Sequence, residues 1–272
     1  MARPNITALS VPPKPYRPDI HSDDFETLNA SKVEDATRAR LLRQLKLGGS
    51  YVARAAELAA RLEQSANGLP PDSPASKLYM RNHRIRVFGN LWRLVEETKR
   101  PVSTFTVVRQ VWHRGFDNLD TLDPIKLKAT FRQGLYREGA TEADGWLFAA
   151  LDGEFDPPTQ GYQLHLHGVV CGGMIDVLDR LRPRTAYLPW QANGPVPGCG
   201  RPIQVSRAPL TNLPSSIAYH MKGFWKVEAG RTSRIPEPFG SHALLYLDQY
   251  GLNDLTLLVK LGVVGGKLIP AG

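Results

Sequence analysis

The segment from Tyr162 to Cys171 is the feature of this 272-residue chain that most constrains its fold. Apolar and polar side chains alternate along it, which is the period of a strand with one face in a core. A strand here would have Tyr162, Leu164, Leu166 and Val170 on one face and Gln163, His165, His167 and Val169 on the other. The two imidazoles would then lie roughly 6 to 7 Å apart on one side, from where both can hold a single cation.

The stretch from Trp146 to Glu154 predicts a second strand, joined to the first by a short loop that contains prolines. In an antiparallel hairpin, Asp152 or Glu154 would lie beside the histidines, and either carboxylate completes a ligand set. Two imidazoles and one carboxylate leave positions on a divalent ion open for water or phosphate oxygens, which indicates catalysis. Zinc suits nitrogen ligands, but no cysteine lies near enough in the sequence, and phosphate binding favours Mg²⁺ or Mn²⁺.

The hairpin belongs to a predicted α+β domain, with a central antiparallel sheet flanked by helices, over residues 101 to 230. Further strands are predicted at 104–109 and 201–208, where β-branched and aromatic residues are frequent. Asp123 and Pro124 indicate the start of a helix that continues to about Glu138. Other helices are predicted at 174–181 and after Pro214.

The chain before this domain is predicted to comprise a disordered, proline-rich tail over residues 1 to 30 and a helical accessory region over 31 to 100. Ser31 and Glu34 form a capping-box pattern for its first helix, and further helices are predicted at 50–64 and 76–98. The third helix has arginines that form either a solvated face or a phosphate-binding face, and these are Arg81, Arg84, Arg86 and Arg93.

The C-terminal stretch, residues 231 to 272, is predicted to be a helical extension. Its segments 241–250 and 252–261 resemble two helices joined by a tight turn at Gly251. The pair contains many apolar residues and few side chains suited to contact bases. Ordinary packing is therefore favoured over a helix-turn-helix that binds DNA.

The helix predicted to begin near Pro214 has one stripe of polar side chains, formed by Ser215, Tyr219, Lys222 and Lys226. A phenol with a pKa of about 10 is a poor nucleophile at neutral pH unless its negative form is stabilised. The Lys222 ammonium would supply that stabilisation or hold a phosphate. The competing interpretation is that Tyr219 packs at a helix edge while Lys222 lies in solvent.

The net charge of +8 and the sequence pI near 9.6 favour polyanionic partners such as nucleic acid. Cys171 and Cys199 do not form a CxxC pair, so we expect free thiols in a reducing compartment. The sequence has no membrane-spanning segment and no signal peptide, which predicts a cytoplasmic protein with no membrane partner. It also has no GxxxxGK[S/T] motif, so unwinding would have to come from a partner, such as a host helicase, or from DNA supercoiling.

Between residues 103 and 228 these motifs resemble those of rolling-circle replication initiators of the His-hydrophobe-His endonuclease superfamily. The strand at 104–108 is similar to their first motif, His165-Leu-His167 to their metal motif, and Tyr219 with Lys222 to their tyrosine motif. The order of elements also matches the family's unpermuted arrangement, whereas relaxases of the superfamily have the tyrosine ahead of the histidines.

The resemblance further implies a single-tyrosine type, because Gly223 occupies the position of the second tyrosine in two-tyrosine members. Many members have an acidic third ligand just before the hairpin loop, which favours Glu154 over Asp152. Tyr246 and Tyr250 have the two-tyrosine spacing but lie beyond the matching helix, so we expect them to serve packing.

The resemblance implies a replication initiator, of a plasmid, phage or integrated element, that nicks one DNA strand at an origin. Tyr219 would displace a 3′-hydroxyl, keep the 5′-phosphate as an ester and later allow rejoining, with Mg²⁺ or Mn²⁺ bound by His165, His167 and Glu154. Alternatives are a single-strand transposase of the same superfamily and a non-catalytic basic DNA-binding protein. A histidine-triad nucleotide hydrolase is disfavoured, because Val169 stands where that group has a further histidine.

Overall fold

A computed structural model describes residues 5–12, 26–45, 50–187, 202–208, 210, 213, 215–218, 221, 225–227 and 234–271. Within these residues the helices are α1 Leu28–Arg43, α2 Ser50–Gln64, α3 Lys77–Glu97, α4 Pro124–Arg137, α5 Met174–Leu181, α6 Ser215–Ala218, α7 Phe239–Leu247 and α8 Leu252–Leu255. The strands are β1 Val102–Gly115, β2 Trp146–Asp156, β3 Gly161–Cys171, β4 Ile203–Val205, β5 Lys226–Val227, β6 Thr256–Val259, β7 Leu261–Val264 and β8 Lys267–Pro270.

A six-stranded sheet forms the centre of the fold, with the strand order β4-β1-β3-β2-β5 and with β6 also paired to β2. The pairs β1/β3, β1/β4, β2/β3 and β2/β6 are antiparallel, whereas β5 runs parallel to β2. The predicted α+β class, with a mainly antiparallel sheet flanked by helices, is therefore confirmed. The hairpin predicted from the alternating segment forms the middle of this sheet.

The two faces of the β2/β3 hairpin are covered by different helices. On one face, which we call the apolar face, Leu147, Leu151, Leu164 and Leu166 pack in a core that contains the inward residues of α4 and α5. On the other, which we call the histidine face, Phe148, Ala150 and Val169 pack in a second core with Val87, Phe88 and Leu91 of α3. Because side chains alternate along a strand, alternate residues of the same two strands contribute to the two cores.

Helix α4 shows why the local predictions in this domain succeed. The Asp123 carboxylate accepts hydrogen bonds from the backbone N–H groups of Ile125 (2.8 Å) and Lys126 (3.2 Å), and Pro124 occupies the first turn. These N–H groups have no partner within the helix, so the cap satisfies them. The strand predicted at 104–109 lies within β1, and the helix predicted at 174–181 is α5.

The accessory region contains the expected helices α1, α2 and α3, with different boundaries for the first. Helix α1 begins at Leu28, and the hydroxyl of Thr27 accepts a hydrogen bond from Ala30 N at 3.1 Å. Ser31 is therefore inside the helix and does not cap it. Helix α3 begins after Ser76, as predicted, with the Ser76 hydroxyl as the cap.

Two predictions outside the central domain are wrong for the described residues. In the predicted disordered tail, a short 3₁₀ helix at Ile6–Ala8 buries Ile6 and Leu9. In the predicted C-terminal helical extension, α7 confirms the first helix, but the short α8 is followed by β6, which extends the central sheet, and by the β7/β8 hairpin, where the second helix was predicted to continue. Pairing with β2 and packing against α3 favour strands in a segment whose apolar content suits either structure.

Candidate metal centre

Three potential ligands meet on the histidine face of the β2/β3 hairpin. In the antiparallel register, Asp152 lies opposite His165, and His167 lies two residues further along β3, opposite Ala150. All three side chains are buried, with 3% of Asp152, 3% of His165 and 7% of His167 exposed. The hairpin register therefore brings one carboxylate and two imidazoles together on one side of the sheet.

The distances within this group suit a bound ion. One ligand atom from each residue lies within 4.8 Å of the other two, and His165 Nε2 is 3.7 Å from Asp152 Oδ2. That separation is too long for a hydrogen bond, and His165 Nε2, although buried, makes no hydrogen bond to the described residues. Atoms that each lie roughly 2.1 Å from one cation are about 3 to 4 Å apart, so three ligand atoms within 4.8 Å of one another need only small side-chain shifts to hold a divalent ion.

Contacts outside this group hold two of the ligands in place. His167 Nδ1 lies 2.8 Å from the hydroxyl oxygen of Thr106, its partner in the β1/β3 register. Because Thr106 engages Nδ1, Nε2 is the nitrogen suited to hold an ion. The other carboxylate oxygen of Asp152 accepts a hydrogen bond from Gly153 N at 2.9 Å. Thr106 was not among the predicted site residues, and its only signal in the sequence is its position in the predicted strand at 104–109.

The glycine after His167 allows the two strands to come close together. A Cβ atom on Gly168 would lie 2.0 Å from the backbone oxygen of Phe148 and 2.7 Å from the ring of Phe105. Both distances are far below van der Waals contact, so only glycine fits here. The short sequence His165-Leu-His167-Gly168 therefore combines the two imidazoles with the position that allows β2 to approach.

Glu154, the favoured third ligand, lies on the same face but outside the ligand group. It is opposite Gln163 in β3 and beside Lys226 in β5, and its carboxylate forms an ion pair with the Lys226 ammonium at 3.1 Å. Asp152 instead is the carboxylate that joins His165 and His167 among the residues described. The geometry thus favours Asp152 over Glu154, because Asp152 is directly opposite His165 and Glu154 is one strand repeat further away.

Tyr219 and Lys222 lie outside the described residues, but some of their neighbours in the chain do not. Ile217, Ala218 and Met221 are buried in the core on the histidine face. The described part of the predicted tyrosine helix is α6, and Lys226, expected on the same helical stripe, lies in β5. Lys226 pairs with Glu154 of β2 in a parallel register, so it belongs to a strand and not to the predicted helix.

The arginines of α3 mostly have partners within the protein. Arg81 donates to the backbone oxygen of Glu26, and Arg93 pairs with Glu97. Arg84 pairs with the Glu26 carboxylate at 2.7 Å and donates to the backbone oxygen of Ala218 at 3.2 Å. Arg84 therefore links the accessory region to the end of α6, and for these three arginines the geometry does not favour a phosphate-binding face.

Tyr246 and Tyr250 pack in the core on the apolar face, on the other side of the sheet from the ligand group. Tyr246 is fully buried, its hydroxyl donates to the backbone oxygen of Leu122 at 2.9 Å, and its ring is in an edge-on contact with Tyr250. Burial raises the pKa of Tyr246 well above its usual value. These contacts confirm the expected packing role.

Comparisons with protein-family models, with curated proteins and with solved structures find no match for this chain. None of the helices in the described ranges combines the length and the apolar character required to cross a membrane.

Proposed function

We propose that this chain is a metal-dependent single-strand DNA endonuclease and strand transferase that initiates rolling-circle replication by nicking an origin. The observation that carries the proposal is the buried group of Asp152, His165 and His167 on one face of the hairpin. A carboxylate and two imidazoles leave positions on a divalent ion for phosphate oxygens. This is the donor set that the resemblance to His-hydrophobe-His endonucleases leads one to expect, with Asp152 in the place of Glu154.

The neighbours of the tyrosine support the proposal. Ile217, Ala218 and Met221 belong to the core that also contains Phe148, Ala150 and Val169 of the histidine face. The chain on both sides of residue 219 therefore packs on the side of the sheet where the ligand group lies. A nucleophile carried by this segment would act on that side.

The proposed reaction is a transesterification at phosphorus. When bound, the cation would polarise the scissile phosphate and offset the charge that develops on it. The phenol oxygen of Tyr219 forms a bond to phosphorus, the bond from phosphorus to the 3′-oxygen breaks, and the phenol proton is transferred overall to that oxygen. Lys222 stabilises the phenolate. The 5′-phosphate remains as a tyrosine ester, so that a 3′-hydroxyl can reverse the step and rejoin the strand.

The proposed partners follow from this chemistry. The net charge of +8 favours binding to single-stranded DNA and to origin DNA. Mg²⁺ or Mn²⁺ is the proposed cation, because it must also bind phosphate oxygens. Since the sequence has no GxxxxGK[S/T] motif, a helicase of the host would provide unwinding.

The test is the formation of a covalent adduct. The full chain is incubated with Mn²⁺ and a pool of single-stranded oligonucleotides that are labelled at their 3′ ends, and adducts are separated on denaturing gels and sequenced. We expect a labelled protein band that is lost with Tyr219→Phe or with a chelator and kept with Tyr250→Phe. DNA binding without an adduct in the unsubstituted protein would overturn the proposal and favour a non-catalytic DNA-binding protein.

A further inference from the structure

A fourth polar side chain, Gln163, lies next to the ligand group on the histidine face. It precedes His165 by one strand repeat, it is opposite Glu154 in the hairpin register, and only 5% of it is exposed. Side chains two residues apart on a strand point to the same side and lie roughly 6 to 7 Å apart at their origins. The amide of Gln163 is therefore within reach of an ion held by His165.

The amide nitrogen of Gln163 is anchored on the side of β1. It donates hydrogen bonds to the backbone oxygens of Leu164 at 2.8 Å and Arg109 at 3.1 Å. The oxygen of Arg109 is accessible because the β1/β3 register shifts between Val108 and His113. Two carbonyl acceptors on one side fix which end of the amide is nitrogen. The amide is planar, so its oxygen is turned away from these carbonyls and hence away from β1.

The amide oxygen of Gln163 is buried and accepts no hydrogen bond from the described residues. A buried carbonyl without a donor is costly, and polar groups in native proteins are nearly always satisfied. The nearest strand on the side away from β1 is β2, which contributes the carboxylates of Asp152 and Glu154 to this face. Ionised carboxylates accept hydrogen bonds and donate none, so beside them a cation is the partner that would satisfy the amide oxygen of Gln163.

We propose that the amide oxygen of Gln163 is an additional ligand of the cation held by Asp152, His165 and His167, and that it determines which metal binds. This inference rests on the cation site of the proposed function and is independent of the nicking step. A neutral carbonyl oxygen is a hard ligand, which Mn²⁺ and Mg²⁺ favour, whereas Zn²⁺ is satisfied by the two imidazoles and the carboxylate. Gln163 thus favours Mn²⁺ over Zn²⁺.

The experiment measures the dissociation constants of Mn²⁺ and Zn²⁺ by calorimetry for the full chain and for Gln163→Met, which is similar in size and lacks the amide. We expect Mn²⁺ binding to weaken about 10-fold and Zn²⁺ binding by less than about 3-fold. A purely structural role, in which Gln163 only satisfies the oxygen of Arg109, would weaken both metals by the same factor. Equal weakening, or no change for Mn²⁺, would overturn the inference.

A second variant and a matched control keep the result interpretable if Gln163→Met folds poorly. Gln163→Glu keeps an oxygen but loses the N–H donors, so Mn²⁺ should bind at least as tightly as to the unsubstituted chain, and a 10-fold loss would contradict the inference. Gln249→Met removes another amide whose nitrogen donates within the protein, to Asp120 at 3.0 Å, and should leave both constants unchanged. If the unsubstituted chain binds neither metal, this inference and the proposed cation site both fail, whereas unchanged selectivity refutes this inference alone.

Discussion

The two faces of the β2/β3 hairpin bury polar groups in different ways. On the side of the apolar face, the Tyr162 hydroxyl donates to the backbone oxygen of Phe239 at 2.8 Å, and the ring of His242 packs against Tyr162 and Phe116. On the histidine face, His165 Nε2 and the amide oxygen of Gln163 are buried without a hydrogen bond to the described residues. The Tyr162 hydroxyl thus has a partner within the protein, whereas these two atoms of the histidine face have none among the described residues.

This difference distinguishes His242, which packs in the core, from His165, a candidate metal ligand. Burial lowers the pKa of His242, so its ring is held neutral among aromatic side chains. His165 is equally buried, but it lies beside an imidazole and a carboxylate at distances that fit an ion. Burial alone therefore does not identify the function of a histidine, and the partners of its nitrogen atoms do.

The largest expected effect comes from Gly168, where the close approach of β2 and β3 leaves no room for a side chain. In Gly168→Ala the new methyl would meet the backbone oxygen of Phe148 at 2.0 Å, so β2 and β3 would have to separate. We expect the free energy of unfolding to fall by more than about 3 kcal/mol, measured by urea denaturation. Gly115→Ala is the control, since nothing lies within 4 Å of the added atom, and it should change stability by less than about 1 kcal/mol. Equal stability of both variants would refute the close approach of the strands.

The second prediction tests the contrast between the two histidines directly. His165→Ala should weaken Mn²⁺ binding by more than about 100-fold in calorimetry, because it removes a ligand. Bound Mn²⁺ at about 100 times its dissociation constant should stabilise the unsubstituted chain by about 2.7 kcal/mol, and this gain should vanish in the variant. His242→Ala should lower stability by about 2 kcal/mol through the cavity it leaves, with unchanged Mn²⁺ affinity. A loss of Mn²⁺ binding in His242→Ala alone would reverse the assignment.

The third prediction decides between the two carboxylates of the histidine face. Asp152→Asn should weaken Mn²⁺ binding about 10- to 100-fold, since the carboxylate lies 3.7 Å from His165 Nε2. Glu154→Gln is the matched substitution one strand repeat away, where the carboxylate pairs with Lys226, and it should change the constant by less than about 3-fold. The reverse order of effects would restore Glu154 as the third ligand.

The smallest expected effect concerns His83, which is carried by the helix that covers the histidine face but does not belong to the ligand group. His83 of α3 packs against Tyr79, and burial together with the nearby Arg86 lowers its pKa to about 4. Its pKa is depressed in the folded state, so the stability it contributes is present above about pH 6.5 and is lost as the pH falls towards 4.

Urea denaturation at pH 7 and pH 5 measures this contribution. Between these values the unsubstituted chain should lose about 2 kcal/mol more stability than His83→Leu, which cannot titrate. The titration of other groups is common to both proteins and cancels in the comparison. An identical pH dependence would mean that the ring of His83 is not held neutral by the fold.

Much of the fold follows from local patterns in the sequence. The period of two in Tyr162–Cys171 predicted both faces of β3, and the Asp123-Pro124 pair predicted the start of α4. The C-terminal strands could not be predicted in this way, because leucines such as Leu257 favour helices whereas Val259 favours strands. Their pairing with β2, a contact distant in sequence, determines the outcome.

The candidate site shows the same division. Alternation along β3 indicated that His165 and His167 share a face, but it could not choose between Asp152 and Glu154, which also alternate onto one face. The choice depends on which residue of β2 stands opposite His165, and register is set by the hairpin as a whole. The sequence likewise did not indicate Thr106 or Gln163 as site residues, because their contacts at the site depend on β1 lying beside β3.

The sequence by itself determined the elements of the hairpin, the segregation of its histidines from its apolar residues, and the helices on either side, since these follow from the backbone geometry of a few neighbouring residues. Only the tertiary structure decided which carboxylate joins the histidines, which buried polar atoms have partners, and that the C-terminal segment completes the sheet. Those properties arise from contacts between residues far apart in the chain, and no local pattern encodes the distance between them.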